Sequence, residues 1–109
     1  MEIIILGITG PLFILLGYYF SKFPPKKINN IYGYRTPRSM KSQEAWDFAQ
    51  VYGAKKMMLA GLIMLVAGIL LLTFNLTENI AAVLSISILL GSAIWMIVVT
   101  ERELKRRFK

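Results

Sequence analysis

The densest run of distinctive side chains in this sequence is Gly33-Tyr34-Arg35-Thr36-Pro37-Arg38-Ser39-Met40-Lys41-Ser42, with Glu44 and Trp46 just beyond it. Arg35 offers a planar five-donor fork suited to a carboxylate or a phosphate. Tyr34 and Trp46 supply flat faces that can pack or stack around it. Two readings stay open. In the first the run is a folded cap, with Arg35 paired to Glu44, Asp47, a helix C-terminus or a lipid phosphate. In the second it recognises a ligand or partner. A rigid cap can also be a docking surface.

Catalysis is harder to build. Histidine and cysteine are absent, which removes imidazole acid–base chemistry, thiol nucleophiles, disulfides and the usual soft metal ligands. Lys41 neighbours Ser39 and Ser42, but adjacent helical positions do not face one another. Glu44 and Asp47 are three apart and could share a face, which reads as solvated surface. No catalytic residue, metal or cofactor is expected.

The elements that must carry this run are set by hydropathy. Of 109 residues, 56% are apolar and only 17% charged, against about 45–50% and about 25% in soluble domains. The apolar residues gather into three blocks, residues 3–21, 57–77 and 79–100, none holding Asp, Glu, Lys or Arg. A stretch of about 20 such residues crosses a hydrocarbon core of about 30 Å. A soluble domain and a disordered chain are both excluded. The expectation is one all-α integral membrane domain over residues 1–109, with spans at about 2–20, 56–74 and 80–100. A motif loop occupies 21–55 and a basic tail 101–109. The first block has only Glu2 before it and ends Tyr18-Tyr19-Phe20. It lacks the basic start and small-residue cleavage site of a signal peptide and reads as a retained span.

Charge orients the spans. Residues 22–56 carry eight basic and two acidic side chains, and 101–109 carry five and two. Glu2 and Glu78, the remaining charges, are both acidic. Three spans put loop 1 and the C-terminus on one side, and the positive-inside rule makes that side cytoplasmic. The N-terminus and second loop then lie outside, in a plasma membrane. The net charge of +7 therefore reads as topogenic and as attraction to anionic lipid, with no nucleic-acid partner.

Local signals fill in the rest. Pro11 should kink span 1 near Gly7, and Pro24-Pro25 should end it. Thr36 before Pro37, or Ser42 before Gln43-Glu44, can cap a second helix. Ala45, Phe48, Ala49 and Tyr52 follow helical spacing along one apolar face, with Trp46 at its border. This predicts an amphipathic helix at the cytoplasmic surface leading into span 2, with Gly53 as a bend. Gly7, Gly10 and Gly17 in span 1, Ala54, Gly61 and Gly68 in span 2, and Ala81, Ser85 and Ser92 in span 3 form small-residue packing seams. Residues 75–79 suffice only for a turn, so spans 2 and 3 make a hairpin. The lipid-facing surface left by three short helices leaves room for a homo-oligomer.

The motif residues Ile31-Tyr32-Gly33-Tyr34-Arg35-Thr36-Pro37, then Ser39-Met40-Lys41-Ser42, then Glu44 and Trp46, resemble the SdpI/YfhL family of bacterial membrane proteins. The span order agrees with that family. The resemblance implies immunity to a secreted peptide toxin that collapses the membrane potential of sibling cells. A longer family member also signals, holding a cytoplasmic repressor at the membrane when toxin is present. This chain is similar to the short form, having the motif domain without a preceding membrane region. The partners so implied are a peptide toxin or a cytoplasmic regulatory protein. A non-catalytic adaptor that docks a cytoplasmic partner through the loop is the alternative.

Overall fold

A computed structural model describes residues 3–108. Three helices, α1 (Ile3–Lys22), α2 (Gln43–Leu71) and α3 (Glu78–Arg107), account for its regular structure, and there is no strand among the described residues. Each helix is long and apolar enough to cross a membrane. The chain is an all-helical, multi-pass membrane protein. Glu2 and Lys109, assigned to span 1 and to the tail, lie outside the described residues.

Helix α1 has 20 residues, about 30 Å at 1.5 Å per residue, which matches the hydrocarbon core. It continues through Pro11. Its last backbone bond runs from the Phe23 N–H to the Tyr19 carbonyl at 2.8 Å, and Pro24-Pro25 then prevents extension.

Helices α2 and α3 have 29 and 30 residues, about 44 Å each, and so outgrow the bilayer core. The amphipathic stretch before span 2 is not a separate element but the first turns of α2. Ser42 is the cap: its hydroxyl accepts the Ala45 N–H at 3.1 Å, worth about 1 kcal/mol. Thr36-Pro37 forms its own turn instead, closed by the Met40 N–H on the Thr36 carbonyl at 3.0 Å. Gly53 lies inside the helix and does not end it.

The basic segment 101–109, expected as a tail, is helical to Arg107. Two causes are visible. Leu104 is fully buried against Ala45 and Ala49 of α2. Glu103 pairs with Arg106 at 2.8 Å and Arg107 at 3.1 Å, one turn on along the same helix. Thr77 caps the other end of α3, and Glu78 in the first turn and Lys105, Arg106 and Arg107 in the last complement the helix dipole.

Helix α2 is central, with α1 along one side and α3 along the other, while α1 and α3 barely meet. Backbone contact sets the α1–α2 spacing. A Cβ on Gly61 would lie 2.5 Å from the Gly10 carbonyl oxygen, and one on Gly17 would lie 2.6 Å from that of Ala54. The two seams close on each other, as small residues allow within a bilayer. Gly68 meets Leu6, but nothing lies within 4 Å of a Cβ on Gly7, so Gly7 is no packing notch. Ala81, Ser85 and Ser92 are buried on α3. The outward faces keep Ile8, Leu15, Val83 and Ile94 exposed, a surface suited to lipid.

Candidate functional site

Beyond the apolar blocks, the start of α2, the end of α3 and the loop between α1 and α2 form a cap with its own core. Ala45, Ala49 and Leu104 are fully buried there, with Tyr34, Phe48 and Phe108 packed around them. The Phe48 and Phe108 ring centroids are 5.8 Å apart, and the Arg107 guanidinium sits 4.7 Å from the Phe48 centroid. Loop 1 and the end of α3 therefore share one end of the bundle.

The loop is shaped residue by residue. The Asn29 carboxamide oxygen accepts the N–H groups of Ile31 and Tyr32, each at 2.9 Å, a local turn that asparagine makes readily. Gly33 follows with φ 104°, in the left-handed region that favours glycine. A Cβ there would also lie 2.7 Å from the Gln50 oxygen and 2.8 Å from Pro25. Glycine is needed twice over.

This turn delivers Tyr34 to the buried amide of Gln50. The Tyr34 N–H donates to the Gln50 Oε1 at 2.7 Å, and the Gln50 Nε2 donates to the Tyr34 carbonyl at 2.8 Å. One side chain thus satisfies both backbone groups of one residue. Ser39, fully buried, holds the next turn: its hydroxyl accepts the Thr36 N–H at 2.8 Å and donates to the Tyr34 carbonyl at 2.9 Å. Trp46 is fully buried and its indole N–H donates to the Pro25 carbonyl at 2.7 Å. Trp46 pins the loop to α2 and does not stack on Arg35. Burying such a ring contributes about 2–3 kcal/mol.

The far side of the loop closes on α3. The Tyr34 hydroxyl donates to Glu101 Oε2 at 2.8 Å, and the Thr36 hydroxyl donates to the same oxygen at 2.9 Å. Arg38 stands 3.8 Å from the other oxygen. The Tyr34 ring rests over Gly53, where a Cβ would lie 3.3 Å from it. Burial first, and then the Glu101 hydrogen bond, hold the Tyr34 phenol well above its usual range. Hydrogen bonds from Arg106 and then Arg107 lower Glu103 to about 2.

Arg35 does not pair with Glu44 or Asp47: among the described residues it has no carboxylate partner. The segment alternates, with Tyr34 and Thr36 half-buried and Arg35 and Pro37 exposed, as extended chain does. Anchoring Tyr34 sends Arg35 outward. Glu44 is exposed in the first turn of α2, Asp47 accepts the Gln43 amide at 2.7 Å, and Lys41 is exposed. The structure thus brings Gly33, Tyr34, Thr36, Ser42 and Trp46 into the cap's framework and leaves Arg35, Pro37, Lys41 and Glu44 on its surface. The packing residues Gly61, Gly68, Ser85 and Ser92 are all buried, and the Ser85 hydroxyl has no partner among the described residues. Gln50 and Glu101 are the participants that lie outside the motif run.

Together, fold and site define a three-span membrane protein whose first loop is latched as a polar cap across the ends of two helices. The SdpI/YfhL protein family matches over residues 26–100, from the start of the cap to the end of the last apolar block, and the chain belongs to it. It is 40% identical over 98 residues to YfhL of Bacillus subtilis (strain 168), described as an uncharacterized protein. That match covers 90% of this chain and 84% of the relative. No solved structure matches.

Proposed function

We propose that this protein is a non-catalytic immunity protein, protecting its host's plasma membrane against a secreted antibacterial peptide toxin, with signalling as a secondary role. The observation that carries this reading is the family match over residues 26–100, which takes in the motif loop and both following spans. In the proposed arrangement the N-terminus and second loop face outside and the cap faces the cytoplasm. The toxin is an apolar peptide met within the bilayer, where its helix contacts the outward faces of the bundle and is kept from a conducting state. The internal seams at Gly10–Gly61 and Gly17–Ala54 are already closed, so they hold the protomer together and are not the toxin's contact. Arg35, exposed at the cap, is the residue proposed to engage the toxin's polar end or a regulator.

The test is expression in a toxin-sensitive bacterium, with survival and membrane potential followed during challenge. The native chain should protect. Arg35→Ala should insert at equal level and lose at least tenfold in protection, because an outward, unpaired guanidinium can be removed without disturbing the latch. Full protection by that variant would remove Arg35 from the mechanism.

One observation favours a second reading, an adaptor that docks a cytoplasmic protein. Ile31 is 86% exposed on the cap, and Tyr32 beside it is half exposed. Crosslinking from this turn to a soluble protein, unchanged by toxin, would support the adaptor.

A further inference from the structure

A cleft on the cap is lined by Arg38 and Lys41 from loop 1, by Arg102, Lys105 and Arg106 from α3, and by Phe108. From these we infer a binding site for the phosphodiester headgroup of an anionic lipid, held between the loop and the end of α3. The inference rests on the cap's geometry and on the chain being a membrane protein, and stands whether or not a toxin is involved.

Three observations carry it. The first is charge. Five cationic side chains line a cavity of about 640 Å³. Arg106 is engaged by Glu103 at 2.8 Å and Arg38 is only loosely held by Glu101 at 3.8 Å. Lys41, Arg102 and Lys105 have no carboxylate partner among the described residues. Three of the five therefore have no counter-anion among the described residues. The second is geometry. Arg102, Lys105 and Arg106 stand at i, i+3 and i+4 of α3, one face of one helix. Arg38 and Lys41 are set opposite them by the same latch that ties Thr36 and Arg38 to Glu101. The third is depth. The charge-free block of α3 ends at Thr100. At 1.5 Å per residue, Arg102 lies about 3 Å and Arg106 about 9 Å past it, within a headgroup layer of about 5–8 Å per leaflet and its edge. Arginine forks and lysine ammoniums at that depth match a phosphodiester.

The test uses the purified full chain in detergent, mixed with equimolar phosphatidylglycerol and phosphatidylcholine, with retained lipid counted by native mass spectrometry. The native chain should retain phosphatidylglycerol selectively. A basic residue at a membrane surface contributes about fivefold in binding, so Arg102→Gln with Lys105→Gln should lower phosphatidylglycerol retention about 25-fold. A control pair, Lys27→Gln with Lys55→Gln, removes equal charge from exposed positions outside the cleft and should change it far less. Unchanged helical circular dichroism certifies the fold of both pairs. Equal loss in the control pair would mean diffuse attraction and overturn the site. Absence of headgroup preference in the native chain would overturn it too. Inorganic phosphate, titrated in lipid-free detergent, separates the two sources of a phosphate. Binding of the free ion as tight as that of the lipid would overturn the lipid assignment.

Discussion

Glu101 gathers the donors that fasten loop 1 to α3, and Tyr34 is the one whose protonation governs the bond. A phenol held above its ordinary range stays neutral in the folded cap, whereas a detached loop ionises near pH 10. The sign follows: the folded state retains a proton that the open state gives up, so this contribution is complete below about pH 10 and declines as pH rises beyond it. Trypsin access to loop 1, followed against pH in detergent, should rise above about pH 10 in the native chain. Tyr34→Phe should raise access at neutral pH, losing about 1.5–3 kcal/mol of hydrogen bonding to a charged group, and should flatten the alkaline rise. An unchanged alkaline rise in that variant would transfer the effect to another group. At this scale the sequence was legible only in part. The run from Gly33 to Pro37 announces a special turn by its residue types. Its partners do not announce themselves, because Gln50 is 16 residues from Tyr34 and Glu101 is 67. A glutamine inside an amphipathic helix and a glutamate in a charged tail both pass for solvated surface until the chain folds. Arg35 drew attention by its chemistry, yet its outward direction depends on which neighbour is anchored, and that neighbour is anchored by Gln50.

The same contrast separates helix positions from helix lengths. Three charge-free blocks mark three spans because membrane thickness is a one-dimensional demand on the sequence. Charges at 101–107 stop that signal, yet α3 continues to Arg107, since Leu104 finds a core at Ala45 and Ala49 that hydropathy alone does not reveal. Seam reading behaves likewise. Small residues at helical spacing pick out Gly7, Gly10 and Gly17 equally, but only the last two meet α2 backbone. A matched pair of substitutions checks this. Gly61→Leu places side-chain atoms where the Gly10 carbonyl stands 2.5 Å from the first of them, so α1 must move. Its thermal unfolding in detergent should fall by the equivalent of about 3 kcal/mol or more, in the range of severe overpacking. Gly7→Ala meets nothing within 4 Å and should be neutral or slightly stabilising through helix propensity. Similar losses for the two would mean that α1 and α2 do not approach through Gly10 and Gly61.

Across the whole molecule, the cap places loop 1 and the end of α3 at the same end of the bundle, and every basic residue of the sequence lies in 22–56 or 101–109. The structure therefore ties the two charged segments together, and in the proposed orientation the positive-inside rule makes their shared end cytoplasmic. Both segments would have to be translocated together to invert the chain, so a mixed population is not expected. The absence of cysteine makes a direct measurement clean, since each introduced thiol is the only one present. Asn75→Cys, in the exposed turn between α2 and α3, should react with a membrane-impermeant maleimide in intact cells. Lys27→Cys, in the exposed part of loop 1, should react only after the membrane is opened. Neither position contributes a side chain to the latch, so both variants should fold as the native chain does. The reverse pattern would invert the protein and move the cap, with Arg35 and the basic cleft, to the outer face. A secreted toxin would then meet the cap directly, and the cytoplasmic adaptor reading would fall.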